Sequence, residues 1–157
     1  MALDVTQLGN DLAAALATLP PSKEDAAMAI SQCYLDYAQN GTFGASVPVL
    51  DNTYRDAMAA TLAAALGLPG LAATAAAAYA AAVTTFWAVV AVAGPQVGTS
   101  NGCPGASALT GAIAAVFANL ANTYATCGAG MAAALHTATL TVTATVSPPP
   151  GTVVPIA

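Results

Sequence analysis

Charge is the property that this sequence lacks most. All nine charged side chains lie within the first 56 residues, and residues 57–157 contain no Asp, Glu, Lys or Arg. A free domain normally keeps a charged, hydrated surface, so a neutral stretch of this length predicts that another molecule covers it. The cover is either lipid or other protein subunits.

Positive charge is scarcest of all. Lys23 and Arg55 are the only cations, and the net charge is −5. A protein that binds DNA or RNA needs a basic surface to neutralise phosphates, so we expect no nucleic-acid partner. The chain is 57% hydrophobic, which argues against disorder, and its 157 residues suffice for a single folded core.

Candidate catalytic groups are also few. His136 is the only imidazole and stands at the end of a predicted helix, where a cation is ordinary. Asp51, Arg55 and Asp56 fit a helix cap followed by an ion pair four residues apart. A hydrolase or transferase needs a nucleophile, a base and a group that orients them, and no such set is visible. The sequence predicts no enzyme, no small-molecule substrate and no cofactor.

The three cysteines lack the spacing of a metal site. No C-x-x-C or H-x-x-x-H spacing brings any two of Cys33, Cys103, Cys127 and His136 together locally. We therefore predict no bound metal. Buried, reduced thiols are the simpler interpretation, although Cys103 and Cys127 could form a disulfide if the chain folds back. The acidic N-terminal segment does not resemble a signal peptide.

Most of the chain carries the apolar period of helices. The pattern predicts an alanine-rich, mainly α bundle of about five to six helices in a domain spanning 1–136. Pro20-Pro21 stops the first helix after Leu19, and 67–70 separates the third helix from the fourth. The predicted helices cover about 5–19, 22–40, 51–66, 71–93, 107–126 and 129–136.

From Thr137 the apolar period changes from 3.6 to two. Leu140, Val142, Ala144 and Val146 alternate with threonines, which predicts a strand that ends at Pro148. We assign 137–157 to this strand and a Pro-rich tail. The only other candidate strand is the weak segment 46–50, so we expect the partner strand to lie on a neighbouring subunit, with pairing to 46–50 as the alternative.

Bulky side chains on the small-residue helices and on the strand are the predicted contacts between subunits. The fourth helix has small residues on nearly every face, which allows neighbouring backbones to approach closely. The predicted interface residues are Val83, Phe86, Trp87, Val90, Val116, Phe117, Leu140, Val142 and Val146.

A membrane is the alternative cover for the neutral stretch. Residues 71–93 are 23 uncharged residues, long enough to span a bilayer as a helix. More than half of them are alanine, however, and no Lys or Arg flanks the segment to fix its orientation. A small membrane-inserting protein, holin-like or pore-forming, is therefore the second hypothesis.

Several features together resemble small structural proteins of tailed bacteriophages. These features are the acidic helical N-terminus, the alanine-rich body around Phe86-Trp87, the AAALH helix end at 132–136 and the Thr-rich tail after it. The likeness is one of composition and layout across the chain. It implies a virion component, such as a neck, collar, tail or capsid-decoration subunit, assembled in the host cytoplasm from many copies of itself and other structural proteins.

Overall fold

The computed structural model describes residues 3–18, 20–66 and 72–157, and these residues are mainly helical. They form six helices and five short strands. The helices are α1 (Val5–Ala17), α2 (Lys23–Ala38), α3 (Asn52–Leu66), α4 (Ala72–Trp87), α5 (Ala106–Ala118) and α6 (Tyr124–Thr139). The strands are β1 (Val47–Pro48), β2 (Ala91–Ala93), β3 (Val97–Ser100), β4 (Thr143–Ser147) and β5 (Thr152–Pro155).

Side-chain caps fix where several helices begin. The Asp4 carboxylate accepts hydrogen bonds from the backbone N–H groups of Thr6 and Gln7 at the start of α1. Ser22 caps α2, and Thr123 forms a capping box with Thr126 at the start of α6. Each cap satisfies backbone donors that a helix cannot satisfy internally.

The helices form a closed ring in chain order. Each helix packs against the helix before it and the helix after it, and α1 packs against α6. The α1–α6 contact is close because Gly128 lies against α1: a Cβ on Gly128 would stand 2.6 Å from the Gly9 carbonyl oxygen and 2.7 Å from the Ala13 nitrogen. The α1–α6 contact therefore depends on the absence of a side chain at Gly128.

The five strands form one antiparallel sheet in the order β1-β2-β3-β4-β5. β4 pairs with β3 through Gly98 opposite Val146, and with β5 through Thr145 opposite Val153. Both edges of the predicted strand are thus occupied by strands of the same chain. We expected the predicted strand to pair with a neighbouring subunit, or alternatively with 46–50. Both expectations are corrected, because its partners are β3 and β5.

The two ends of the sheet are tied together. Thr42, just before β1, exchanges two backbone hydrogen bonds of 2.9 Å with Ala157, just after β5. Phe43 forms an isolated bridge with Ile156 and a tight turn with Ser46, which leads into β1. The sheet therefore closes on itself around buried apolar side chains, among them Phe43, Val92, Val146 and Ile156.

Several predicted boundaries change. The helix predicted over 71–93 ends at Trp87, and its last residues form β2. The helix predicted over 107–126 ends at Ala118, and α6 runs through the predicted domain boundary at 136. Because β1, β2 and β3 come from within 1–136, the sheet is shared between the two predicted domains. Leu19, the predicted break at 67–70 and Leu71 lie outside the described residues.

Candidate interaction surface

The ring of helices divides into a charged half and a neutral half. Every charged side chain lies on α1, α2, the first turn of α3 or the residues that flank them. α4, α5, α6 and strands β2–β5 carry none. Arg55 pairs with the adjacent Asp56 at 2.7 Å rather than with the expected Asp51, whose carboxylate caps α3 by accepting from Thr53. That hydrogen bonding, led by the Thr53 hydroxyl, lowers the pKa of Asp51.

Six of the nine predicted interface residues lie in the core of their own chain. Val83, Phe86, Trp87, Val90, Val142 and Val146 are buried. Val116 and Phe117 are partly buried against that core, and the ring of Phe117 lies 5.9 Å from that of Tyr79. Only Leu140 is exposed. The prediction that these six residues contact other subunits is therefore corrected. On α4, which consists largely of alanine, the few bulky side chains face the interior of the ring of helices.

A buried hydrogen-bond network joins α2, α4 and α6. The Trp87 indole N–H donates to the Tyr34 hydroxyl at 2.8 Å, and the Tyr34 and Thr139 hydroxyls lie 2.7 Å apart. Thr139 donates its own proton to the Leu135 carbonyl, so Tyr34 is the donor to Thr139. Burial raises the pKa of Tyr34. All three groups are satisfied, so the network is structural.

His136 also links α2 to α6, at a position closer to solvent than this network. Its Nδ1 is hydrogen bonded to the Tyr37 hydroxyl, and the two rings meet edge to face. Burial raises the pKa of Tyr37. The structure thus gives His136 a partner on α2, and this side-chain contact links α6 to α2.

The cysteines lie apart. The Cys103 thiol donates to the Ala138 carbonyl near the end of α6, whereas Cys127 lies in the first turn of α6 and contacts Met131. Eleven residues of helix, about 16 Å, separate these two positions on α6. All three cysteines are free thiols. Among the described residues no group of three or more metal-binding side chains comes together.

The outer face of the sheet is neutral, and exposed valines lie beside threonines on it. Val97 and Val153 point outward and are 58% and 59% exposed. Val47 and Val49 add further exposed aliphatic groups near β1, and Val89 lies just before β2. None of these five valines was among the predicted interface residues. The sequence holds no comparable signal for β3, because Val97 is followed by Gly98, Thr99 and Ser100 rather than by alternating apolar residues.

A second apolar feature is a groove between α5 and α6. Its volume is about 390 Å³, and it lies between the first half of α5 and the second half of α6. We call it the α5–α6 groove. Its walls are mainly small apolar side chains: Ala108, Leu109, Ala112, Ala133, Ala134 and Ala138.

The polar groups of the α5–α6 groove are already satisfied. The Thr137 hydroxyl donates to the Ala133 carbonyl at 2.9 Å, and the Thr141 hydroxyl donates to the Ala138 carbonyl at 2.7 Å. The Gly105 N–H donates to the same Thr141 oxygen at 2.8 Å. The two threonine hydroxyls therefore have no proton free to donate to a molecule in this groove.

Leu120 stands at the other end of the same helix pair. It lies in the turn between α5 and α6 and is 97% exposed. The Asn122 amide donates to the Val116 carbonyl, and the Asn119 side-chain oxygen accepts from the Ala121 N–H, so two side chains hold the turn. Leu120 falls within the helix predicted over 107–126, and the end of α5 at Ala118 is what exposes it.

Comparison of the chain with family models, curated proteins and solved structures finds no match to any of them. The expected resemblance to phage structural proteins therefore stays a prediction. No helix within the described ranges combines the length and the apolar character needed to cross a bilayer.

Proposed function

We propose that this chain is a structural subunit of a multi-copy protein assembly, and that the assembly is a component of a tailed-bacteriophage particle. The observation that carries the proposal is the division of the molecule into charged and neutral halves. Solvent-facing positions on α4, α5, α6 and the sheet are occupied mainly by Ala, Gly, Ser, Thr and Val, with Leu120, Tyr124 and Leu140 exposed as well.

The charge distribution favours contacts through the neutral half. Copies of a chain with a net charge of −5 repel one another least when their acidic helices face apart. A neutral, small-residue surface also loses little hydration or side-chain entropy when a neighbour covers it. These two effects support association between copies, and the layout of the sequence supports the virion as the setting.

The proposal does not include strand exchange by β4. Both edges of β4 are occupied within the chain, and Thr42 and Ala157 tie the ends of the sheet. The buried apolar residues of α4 likewise stabilise the core of their own chain and are not proposed to contact other copies. Contacts between copies involve exposed side chains of the neutral half instead.

The first test is the mass of the purified chain in detergent-free solution, measured by light scattering over a range of concentrations. We expect a species several times the mass of one chain. A monomer at every concentration, with the helices intact by circular dichroism, would overturn the proposal.

A pair of triple variants tests which half makes the contacts. Thr85→Lys, Val97→Lys and Ala112→Lys place three cations at exposed positions on the neutral half, whereas Thr6→Lys, Met28→Lys and Ala57→Lys place them at exposed positions on the charged half. Both variants change the net charge equally. We expect the first to dissociate and the second to keep its mass; the reverse result contradicts the proposal.

A further inference from the structure

We infer that Leu120 of one copy binds in the α5–α6 groove of a second copy. This inference rests on the proposed function and names the contact that joins the subunits. Leu120 and the groove occupy opposite ends of the same helix pair, so each copy presents one apolar projection and one apolar depression. One copy can then contact two neighbours, which is how a repeated contact builds a ring or a filament.

The groove fits an aliphatic side chain. Its threonine hydroxyls donate to the backbone of α6, so they offer no free donor to a polar ligand. The side chains of Ala108, Ala112 and Ala133 are short, so they leave space above the helix backbones. A leucine inserted there would exchange contact with water for contact with methyl groups, which is favourable in proportion to the apolar area removed from water.

The turn that carries Leu120 is arranged for insertion. Asn119 and Asn122 bond to backbone groups on both sides of Leu120, so the turn is held in one shape before binding. A residue that is already ordered loses less conformational entropy on association. Hydrating an isolated leucine costs free energy, and no described residue of the same chain covers this one, since it is 97% exposed.

Charge favours a second copy over other occupants. The groove and the turn both belong to the neutral half, so a contact between copies through them brings no charged side chain of either helix into the interface. A cationic partner would instead be drawn to α1 and α2, which carry most of the acidic groups. The groove is therefore assigned to this chain's own exposed leucine.

Two variants remove one half of the contact each. Leu120→Asp removes the projection, and Ala112→Trp fills the groove from an exposed position on α5. Met28→Asp and Ala60→Trp are the matched controls, at exposed positions outside the contact. We expect each test variant to weaken association by at least about tenfold in dissociation constant, as for a central interface residue, while the controls keep the wild-type mass.

Mixing the two variants gives the sharpest test. Leu120→Asp keeps its groove and Ala112→Trp keeps its projection, so the mixture can form one contact that neither variant forms alone. We expect a species of two chains in 1:1 ratio. If the wild-type chain assembles but the single variants keep its mass, or if the mixture stays dissociated, the inference is wrong and the proposed function stands. A wild-type monomer overturns both.

Circular dichroism confirms folding, and Leu120→Ser replaces Leu120→Asp if the latter loses helicity. Sedimentation with phosphatidylcholine vesicles tests whether Leu120 and the groove bind a membrane instead of a second copy. Co-sedimentation of the wild-type chain that is lost in both test variants would assign the groove and Leu120 to a membrane and overturn the inference.

Discussion

The Trp87 indole N–H donates a hydrogen bond of 2.8 Å to the Tyr34 hydroxyl, which in turn bonds to Thr139. The three side chains come from α4, α2 and α6, the three helices that lead into β2, β1 and β4. Each helix is thus fixed to the other two close to the sheet. The edge-to-face contact between Tyr34 and Phe86, at 5.0 Å, packs against the same network.

Removing the central hydroxyl should destabilise the fold. Tyr34→Phe leaves the buried Trp87 N–H without an acceptor, which costs about 1–3 kcal/mol in the free energy of unfolding. Tyr124→Phe is the control, since Tyr124 is 51% exposed and should change stability by less than about 0.5 kcal/mol. Urea unfolding followed by tryptophan fluorescence measures both, and an unchanged midpoint for Tyr34→Phe would show that the indole finds another acceptor.

Alkaline pH should destabilise the protein. Burial raises the pKa of Tyr34, Tyr37 and Tyr79 above the ordinary value near 10 and raises the pKa of Cys33 to about 11. Above the unfolded-state pKa values the unfolded chain releases these protons while the folded chain retains them. Stability is therefore constant at neutral pH and falls as the pH rises through about 9–11.

Replacing Tyr79 tests the tyrosine contribution to this loss of stability at alkaline pH. Tyr79→Phe removes one of the three tyrosine ionisations and should reduce the slope of unfolding free energy against pH above pH 10 by up to about 1.4 kcal/mol per pH unit. Urea midpoints between pH 8 and pH 11 measure the slope. A slope equal to that of the wild-type chain would mean that Tyr79 ionises as readily in the folded state as in the unfolded state.

Closure of the sheet should depend on Ile156. This side chain is 3% exposed, and its Cδ1 would lie 2.7 Å from a Cβ placed on Gly41. Ile156→Ala should lower the free energy of unfolding by about 2–5 kcal/mol because it leaves a cavity. Val153→Ala, at an exposed position of β5 just before Ile156, should cost less than about 1 kcal/mol. Equal effects in thermal unfolding would contradict the closed sheet.

Two helical glycines should respond in opposite directions to alanine. A Cβ on Gly111 meets nothing within 4 Å, so Gly111→Ala should stabilise α5 by about 0.5–1 kcal/mol. A Cβ on Gly128 collides with the backbone of α1, so Gly128→Ala should destabilise the protein by more than the helix gain. Thermal unfolding of the two variants tests this, and stabilisation at both sites would contradict the close approach of α1 and α6.

The sequence predicts the helices better than the sheet. Prolines and capping residues, such as Ser22 and Pro20, are local signals, and α1, α2 and α3 lie close to their predicted positions. β2 was missed because Ala91–Ala93 continues an alanine-rich helical pattern, and its strand pairing with β3 depends on contacts that local propensity does not contain. β4 was found because its alternation is strong, but its partners are too short to be seen in isolation.

The interface prediction failed for most residues for a physical reason. In a helix built largely of alanine, the few large side chains supply most of the burial, so Phe86 and Trp87 occupy the centre of the fold. What the sequence could not reveal is which apolar side chains remain outside. Leu120 and Val153 are exposed because a helix ends early and because a strand turns one side outward, and both depend on tertiary structure.

The hydrogen bonds between Thr42 and Ala157 also bear on the order in which the fold forms. More than a hundred residues separate these two positions along the chain, and contacts so distant form slowly, so we expect this pairing to be among the last to form. Until then the apolar groups under the sheet, including Phe43, lack their last cover. We expect a refolding chain to pass through a state in which these apolar groups are open to association with other molecules.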